Sequence, residues 1–398
     1  MRTRLTRLVI TGALVTQFAR SAAAEEPPPP PPAPPAAPAA APAPKEGAPV
    51  AEAPKDAPAP PAVKWYDKIE AGGMVDAYFT GNFNGPSNHQ NAQRPFDFRA
   101  NELSFSYAEL NLTRKAEPVG FRLDLGFGPL ADSFHGAEPA APSVGFEAIK
   151  NIQQAYVSWK TPFGLQLDLG KMVTPTGNEV TESQDNWNYS RSYTYYTAPY
   201  YHSGLKLSYG ITEQLTAIVC VFNGWNNVVD NNDGKTFHAG LVWSSDFVDA
   251  FVNWLGGPEG KDDDGNWRQF IDGAVKVKPI KDLGIQVYGM YVNDSVAPAT
   301  PTDPSSLVWW GVSGMVRYAF APAAAAVRAE YFVDDGPGTL TKQKVFAVTG
   351  TGDYNVAGAL LLRTELRFDT SDAAVFFKEK GGTSKDQVTL SLSAVAYF

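Results

Sequence analysis

The chain has 398 residues, 44% of them hydrophobic, and a formal net charge of −9 at pH 7. An acidic chain gives no footing to a nucleic-acid partner, which needs a basic patch. The single cysteine, Cys220, excludes an internal disulfide and a cysteine-held metal cluster.

Residues 1–24 have the three-part layout of a secretory signal peptide. Arg2, Arg4 and Arg7 precede a short apolar run over 8–15, and Ala22 and Ala24 stand before Glu25. Residues 25–63 follow as a Pro/Ala-rich tract, "PPPPPPAPPAAPAAAPAP" within it. Proline removes backbone donors and favours polyproline II, so this segment is expected to be a disordered periplasmic linker. At about 3.1 Å per residue its reach is on the order of 100 Å. Two uses stay open: a spacer with no partner, and a tether touching peptidoglycan through Lys45, Lys55 and Lys64. Beyond the signal no stretch reaches the ~20 apolar residues of a spanning helix.

From residue 64 to 398 the periodicity changes to two. "VGFRLDLGFG" (119–128) sets Val119, Phe121, Leu123, Leu125 and Phe127 against Arg122, Asp124 and glycine. "GLQLDLG" (164–170), "FIDGAVKVKP" (270–279) and "LLLRTELRFD" (360–369) repeat the scheme, and so does the last stretch, "VTLSLSAVAYF" (388–398). Alternation of this kind means strands with one apolar and one polar face. Tight breaks are expected at 115–118, 161–164, 210–213, 244–247, 279–283, 320–323 and 353–355. Longer polar connections are expected at 81–100, 129–148, 174–200, 225–235, 257–267, 294–307, 334–343 and 370–385. Short and long alternate, which predicts about sixteen strands of roughly ten residues. The fold class is therefore all-β: a transmembrane up-and-down antiparallel barrel with short periplasmic turns and long extracellular loops. A soluble sandwich would not require turns of two lengths on two ends. Nor would it carry charges on one face of strand after strand.

Aromatics near the expected strand ends, among them Trp65, Tyr66, Tyr78, Phe79, Trp159, Trp243, Trp254, Trp309, Trp310, Tyr318, Phe320, Tyr397 and Phe398, fit girdles at headgroup level. The last strand is expected to pair with the first, near 69–80, and close the sheet.

"VDAYFTGNFN" (75–84), "AELNLTRKAEPVGFRLDLGFGP" (108–129), "NIQQAYVSWKTPFGLQLDLGKMVTPTG" (151–177), "DNWNYSRS" (185–192), "NGWNNVVDNNDGKT" (223–236) and "AEYFVDD" (329–335) together resemble the OmpL-like outer-membrane β-barrel porin family. The resemblance runs from about residue 69 to the end. It implies a porin or porin-like barrel and no particular substrate. By the same resemblance, the strand ending in Phe398 is what the barrel-insertion machinery reads. Outer-membrane lipid and a homotrimeric arrangement complete the expected partners.

Sixteen strands enclose a lumen too wide for wall side chains alone to fill. The non-lipid face supplies the expected pore-lining set: Glu109, Arg122, Asp124, Asp168, Lys206, Asp272, Lys276, Arg317, Arg328, Glu330, Arg363, Glu365 and Arg367. Asp249 falls on the same face. Bases crowd the late strands, which suggests a transverse field; salt-bridge ladders stiffening the wall are the plainer use. The longest loop, 174–200, follows strand five and is the constriction candidate. It carries Glu179, Glu182, Asp185, Trp187, Tyr189 and Arg191, and its carboxylates are expected to face wall arginines. An external loop packed against neighbours in a trimer is the alternative.

Nothing points to catalysis. Of the four histidines, His89, His135, His202 and His238, His202 is adjacent to Ser203 on a strand start and the two point oppositely, while His89 and His135 sit in loops with no nucleophile pattern nearby. "KDDDGN" (261–266) and "DNNDGK" (230–235) fail the ligand spacing of a calcium loop. No metal or cofactor is expected. The function read from the residues is a water-filled channel for passive diffusion of small hydrophilic solutes. A sugar-selective channel and a barrel tethered to the cell wall are the alternatives.

Overall fold

A computed structural model describes residues 64–136, 138, 146–296, 305–335 and 341–398. The expected signal peptide and Pro/Ala linker lie outside the described residues. Sixteen antiparallel strands close on themselves. They are β1 (Ile69–Asn82), β2 (Leu103–Arg114), β3 (Val119–Phe127), β4 (Ile152–Lys160), β5 (Gln166–Val173) and β6 (Tyr201–Gly210). Then come β7 (Leu215–Phe222), β8 (Thr236–Ser244), β9 (Val248–Gly260), β10 (Asp263–Ile280) and β11 (Leu283–Ser295). β12 (Ser306–Phe320), β13 (Ala323–Asp334), β14 (Gln343–Val356), β15 (Leu360–Ser371) and β18 (Asp386–Tyr397) complete the wall. A small hairpin, β16 (Phe376–Phe377) with β17 (Thr383–Ser384), sits in the loop before β18. β18 pairs with β15 on one side and with β1 on the other, from Met74↔Tyr397 to Asn82↔Thr389, so no edge is left.

The period of two is the reason the wall has opposite faces. Val157, Leu169, Val252, Val287, Leu366 and Leu392 point outward and are exposed, while Asp124, Asp168, Asp272, Arg328, Glu365 and Arg367 are buried. That distribution is inverted relative to a water-soluble protein, and it suits lipid outside and protein or water inside. The exposed rings Trp159, Trp243, Tyr318, Phe320 and Phe398 stand at the short-turn end. Phe105, Phe127, Phe237, Tyr291, Phe346 and Phe368 stand at the long-loop end. These are the two girdles.

The structure corrects three expectations. The connection expected over 257–267 is a two-residue turn at 261–262, because β9 and β10 continue their pairing to Gly260↔Asp263. The turn expected at 353–355 lies at 357–359: Asp353, Tyr354 and Asn355 pair with Arg363, Leu362 and Leu361 within β14 and β15. Positive φ at Ala357 and Gly358 reverses the chain there. Tyr78 and Trp309, expected in the girdles, are instead buried on the inner face. The Trp309 indole donates to the Thr197 carbonyl at 3.2 Å, and the Tyr78 hydroxyl accepts from the Arg99 amide at 3.1 Å.

Candidate functional site

Residues 174–200, between β5 and β6, fold into the barrel and are almost entirely buried. A chain segment without long regular structure leaves many backbone groups needing partners, and burial makes leaving them unpaired costly. Inward-facing strand residues supply those partners. The Asp272 carboxylate on β10 accepts from the Gly177 amide at 2.6 Å. Glu365 on β15 accepts from the amides of Tyr189 and Ser190 at 2.6 and 3.0 Å. Glu330 on β13 accepts from the Tyr193 amide at 2.7 Å. Arg363 donates to the carbonyls of Ser183 and Asn186 at 2.9 and 2.8 Å, and Arg367 to that of Arg191 at 2.8 Å. Arg328 donates to the Ser190 carbonyl at 2.8 Å and pairs with Glu179 at 2.9 Å. On β1, Asp76 accepts from the hydroxyls of Ser183 and of Tyr189.

The expected site residues therefore divide. Glu179 is bound to Arg328, as carboxylates facing wall arginines would be. Arg328, Glu330, Arg363, Glu365 and Arg367 face inward but lie under the segment, with side chains 0–2% exposed in the case of the arginines and both glutamates. Asp353 and Asp369 neutralise Arg363 and Arg367 at 2.7 Å each. Arg191 turns back on its own loop, donating to the carbonyls of Val180, Thr181 and Tyr189 with its guanidinium 5.0 Å from the Phe96 ring centre. Trp187 lies under Lys276, whose ammonium is 5.2 Å from the ring centre, and packs with Met315 and Ala326. Asp185 is buried in the same segment. Arg317 pairs with Asp353 at 3.2 Å.

A different arc remains in contact with solvent. Asn111 and Thr113 on β2, Arg122 on β3, Tyr156 on β4 and Gln166 on β5 face inward and are partly exposed. Across from them the loop presents Thr181, Glu182 and Gln184, also partly exposed. Arg122 is paired with Asp124 at 2.8 Å, and Lys206 with Asp168 at 3.2 Å. Glu109 accepts from the Tyr107 hydroxyl at 2.9 Å. Glu182 is near enough to act electrostatically on Glu109, Arg122 and Asp124.

Among its polar residues the inner face of β7 to β13 carries an apolar cluster, where an all-polar face was expected. Ile218, Val242, Phe251, Leu255, Phe270, Tyr288, Met290 and Trp309 form one buried cluster with Tyr193 and Ala198 of the loop. Within it Cys220 lies 3.6 Å from His238, and His238 is 3.2 Å from Asn253. Both Cys220 and His238 are 1% exposed, so the thiol has no approach for a substrate. Among the described residues no three His, Cys, Asp or Glu side chains are grouped to hold a metal ion.

Sequence reasoning missed Asp76, Asp353, Arg94 and the part played by Asp369. Asp76 stands between the outward Val75 and Ala77 in a strand of period two, so alternation would have found it. Arg94, which pairs with Asp97 at 2.6 Å and Asp369 at 2.8 Å, comes from the first long loop, where no period exists to read.

The wall is thus sixteen strands closed end to end, with the loop after the fifth strand folded inside. The family model described as "Putative beta-barrel porin-2, OmpL-like" matches residues 68–398. The chain belongs to this family. It is an outer-membrane β-barrel of channel type. A comparison with curated proteins finds no match. Among solved structures, this porin is similar in fold to OmpT of Vibrio cholerae, at 11% identity and TM-score 0.53, covering 83% of this chain and 97% of the other. It is similarly close to the anion-selective porin of Comamonas acidovorans, at 11% and 0.54, covering 83% and 99%. The channel DcaP of Acinetobacter baumannii matches at 12% and 0.54, covering 83% and 97%. At such identities the likeness is one of fold.

Proposed function

We propose that this porin is a passive diffusion channel for small hydrophilic solutes and ions, with residues 174–200 as its constriction loop. The observation that carries the reading is the anchoring of that segment. Asp76, Asp272, Arg328, Glu330, Arg363, Glu365 and Arg367 reach it from four strands of the wall, β1, β10, β13 and β15. A loop held at so many points is a rigid partition, and a rigid partition sets a size limit. Transport needs no covalent step, since a solute gradient drives it.

The tyrosine-rich composition of the loop does not favour a sugar path. Tyr189, Tyr193 and Tyr195 are buried in packing, with Tyr193 stacked on Phe332 at 6.0 Å, and have no free faces for a pyranose.

The full chain, refolded into a planar bilayer, is expected to give stable conductance steps. Deleting 182–194 is expected to raise the step size, because the partition is removed while the wall remains. Properly folded protein without conductance would sink the channel reading. An unchanged step size in the deletion variant would sink the constriction role.

A further inference from the structure

Residues 83–102, which join β1 to β2, also turn into the barrel. Asn91, Ala92, Arg94, Phe96 and Asp97 are only 1–4% exposed. A polar segment carrying an arginine reaches such burial only where partners are supplied. Arg94 donates to Asp97 at 2.6 Å, to Asp369 on β15 at 2.8 Å and to Thr389 on β18 at 3.2 Å. Gln93 donates to Gln343 on β14 at 3.2 Å, and Asn82 on β1 donates to Asn91 at 2.8 Å. The amides of Arg99 and Asn101 donate to the Tyr78 hydroxyl at 3.1 Å and the Thr80 carbonyl at 2.7 Å.

Three strands hold both this segment and 174–200, always in the same order. On β1, Asp76 takes the hydroxyls of Ser183 and Tyr189, while Tyr78 and Asn82, nearer the long-loop end, hold Arg99 and Asn91. On β15, Glu365 takes the amides of Tyr189 and Ser190, while Asp369, again nearer that end, takes Arg94. On β14, Thr351 accepts from the Asn188 side chain at 2.7 Å, while Gln343, at the strand's mouth end, takes Gln93. At about 3.4 Å per residue, the anchors of 83–102 lie roughly 7–27 Å closer to the mouth. The segment is therefore a second layer stacked on 174–200. The layers meet at Asp369, which also accepts from the Tyr193 hydroxyl at 3.1 Å, and at Phe96, 5.4 Å from the Tyr195 ring centre. The hydrogen-bond anchors of 83–102 nevertheless lie in the wall and in the segment itself, so it does not hang from 182–194.

Resting on the channel reading above, we infer that residues 91–97 are a second partition, pinned by Arg94 as its positioning residue, which keeps the β14–β15–β18–β1 sector of the lumen closed even when 182–194 are removed. With both layers in place the inner one sets the limit, because it reaches from β1 as far as Asp272 on β10, whereas 91–97 is pinned only between β14 and β1. Loosening the outer layer alone therefore changes little, and its effect emerges once the inner layer is gone.

The test compares single-channel steps of the full chain in planar bilayers with those of three variants. One lacks 182–194, one has 91–97 replaced by a glycine/serine stretch of equal length, and one carries both changes. The replacement alone is expected to move the step size by less than about a quarter. Added to the deletion, it is expected to raise the step by a further ~1.5-fold or more. Arg94→Ser/Phe96→Ser in the deletion background frees the layer with less disturbance and is expected to act in the same direction. Heat-dependent gel mobility verifies that each variant is folded. A combined variant, and an Arg94→Ser/Phe96→Ser variant, with no larger step than the deletion alone overturn the inference and leave the channel intact. A replacement that by itself raises the step as much as the deletion also overturns it, since 91–97 would then act only by holding 174–200 in place. A step unmoved by the deletion but raised in the combined variant removes the constriction role of 174–200 and supports the second partition. Absence of conductance from all the folded proteins removes the channel reading and this inference with it.

Discussion

Arg328 shows what a buried charge inside a barrel has to satisfy. Its guanidinium pairs with Glu179 at 2.9 Å and Glu330 at 3.3 Å and donates to the Ser190 carbonyl, with no exposed side-chain surface. Removing one member of such a group leaves the others charged and unpaired, which typically costs about 3–5 kcal/mol. Arg328→Met is therefore expected to lower unfolding stability by about that amount, measured by urea titration in detergent micelles. The triple variant Arg328→Met/Glu179→Gln/Glu330→Gln removes the stranded charges and is expected to recover most of the loss. If the triple variant is no more stable than the single one, the arginine acts by packing and not by charge.

At the scale of single residues the sequence was a good guide wherever alternation applied. Glu109, Arg122, Asp124, Asp168, Lys206, Asp272, Arg328 and Glu365 all stand on the inner face because their strands have period two. What alternation could not reveal is whether an inward charge meets water or another part of the chain. Arg367 and Arg122 look alike in the sequence, yet one is 1% and the other 21% exposed in its side chain. That difference is set by the path of residues 174–200, a property of tertiary packing. Arg191, polar and central in the loop, looked like a lumen group. Its guanidinium instead donates to three carbonyls of the loop itself.

Among the elements, the long loops behave as packed structures and not as flexible connections. The first, 83–102, sends Arg94 to Asp369 and Phe96 against Tyr195 and Tyr200. The second sends Phe134 onto Phe96 and His135 onto Tyr201, with ring centres 5.3 and 4.7 Å apart. His135 is held from both ring nitrogens: Nδ1 donates to the Ala131 carbonyl at 2.9 Å, and Nε2 accepts from the Lys171 ammonium at 2.6 Å. Burial, and then the adjacent Lys171 charge, lower its pKa from 6.5 to about 4. The depressed value means the docked loop holds this imidazole neutral. As pH falls through 6.5 the undocked loop takes up a proton that the docked loop refuses, so docking weakens until about pH 4. The slope is at most about 1.4 kcal/mol per pH unit. Other groups near it are Glu138, which accepts from the Tyr201 hydroxyl, and the Lys150–Asp132 pair. Hydrogen exchange over 129–136 is expected to quicken between pH 7 and pH 5, and His135→Gln is expected to flatten that dependence. Equal pH dependence in the variant would assign the effect to a group other than His135.

For the molecule as a whole, closure decides whether a barrel exists. The seam between β1 and β18 lies between the two strands most distant in sequence, and its last hydrogen bonds are made by Phe398. The Phe398 amide donates to the Gly73 carbonyl at 3.1 Å, and the Gly73 amide donates to the Phe398 carbonyl at 3.2 Å. Gly73 is required there for space: a Cβ would come within 2.6 Å of the Glu109 carbonyl oxygen and 3.0 Å of the Phe398 ring. Such a contact cannot be relieved by rotating a side chain, because one of the crowding atoms is backbone. Gly73→Val is therefore expected to force β1 away from β2 or β18 and open the seam. An open seam in hydrocarbon exposes unpaired amides and carbonyls, each costing several kcal/mol, so the closed and open forms should differ sharply in population. Leu366→Val, an equally apolar change on a lipid-facing position, meets no such constraint. The fraction of protein showing the heat-dependent mobility shift of a closed barrel is expected to fall several-fold for Gly73→Val and to stay unchanged for Leu366→Val. Deleting Phe398 removes the same two hydrogen bonds without adding bulk, and an intermediate loss is expected. Full closure of the Gly73→Val variant would mean that the register of β1 can slip by enough to accommodate the side chain, and that the seam is held by its remaining pairs and not by its end.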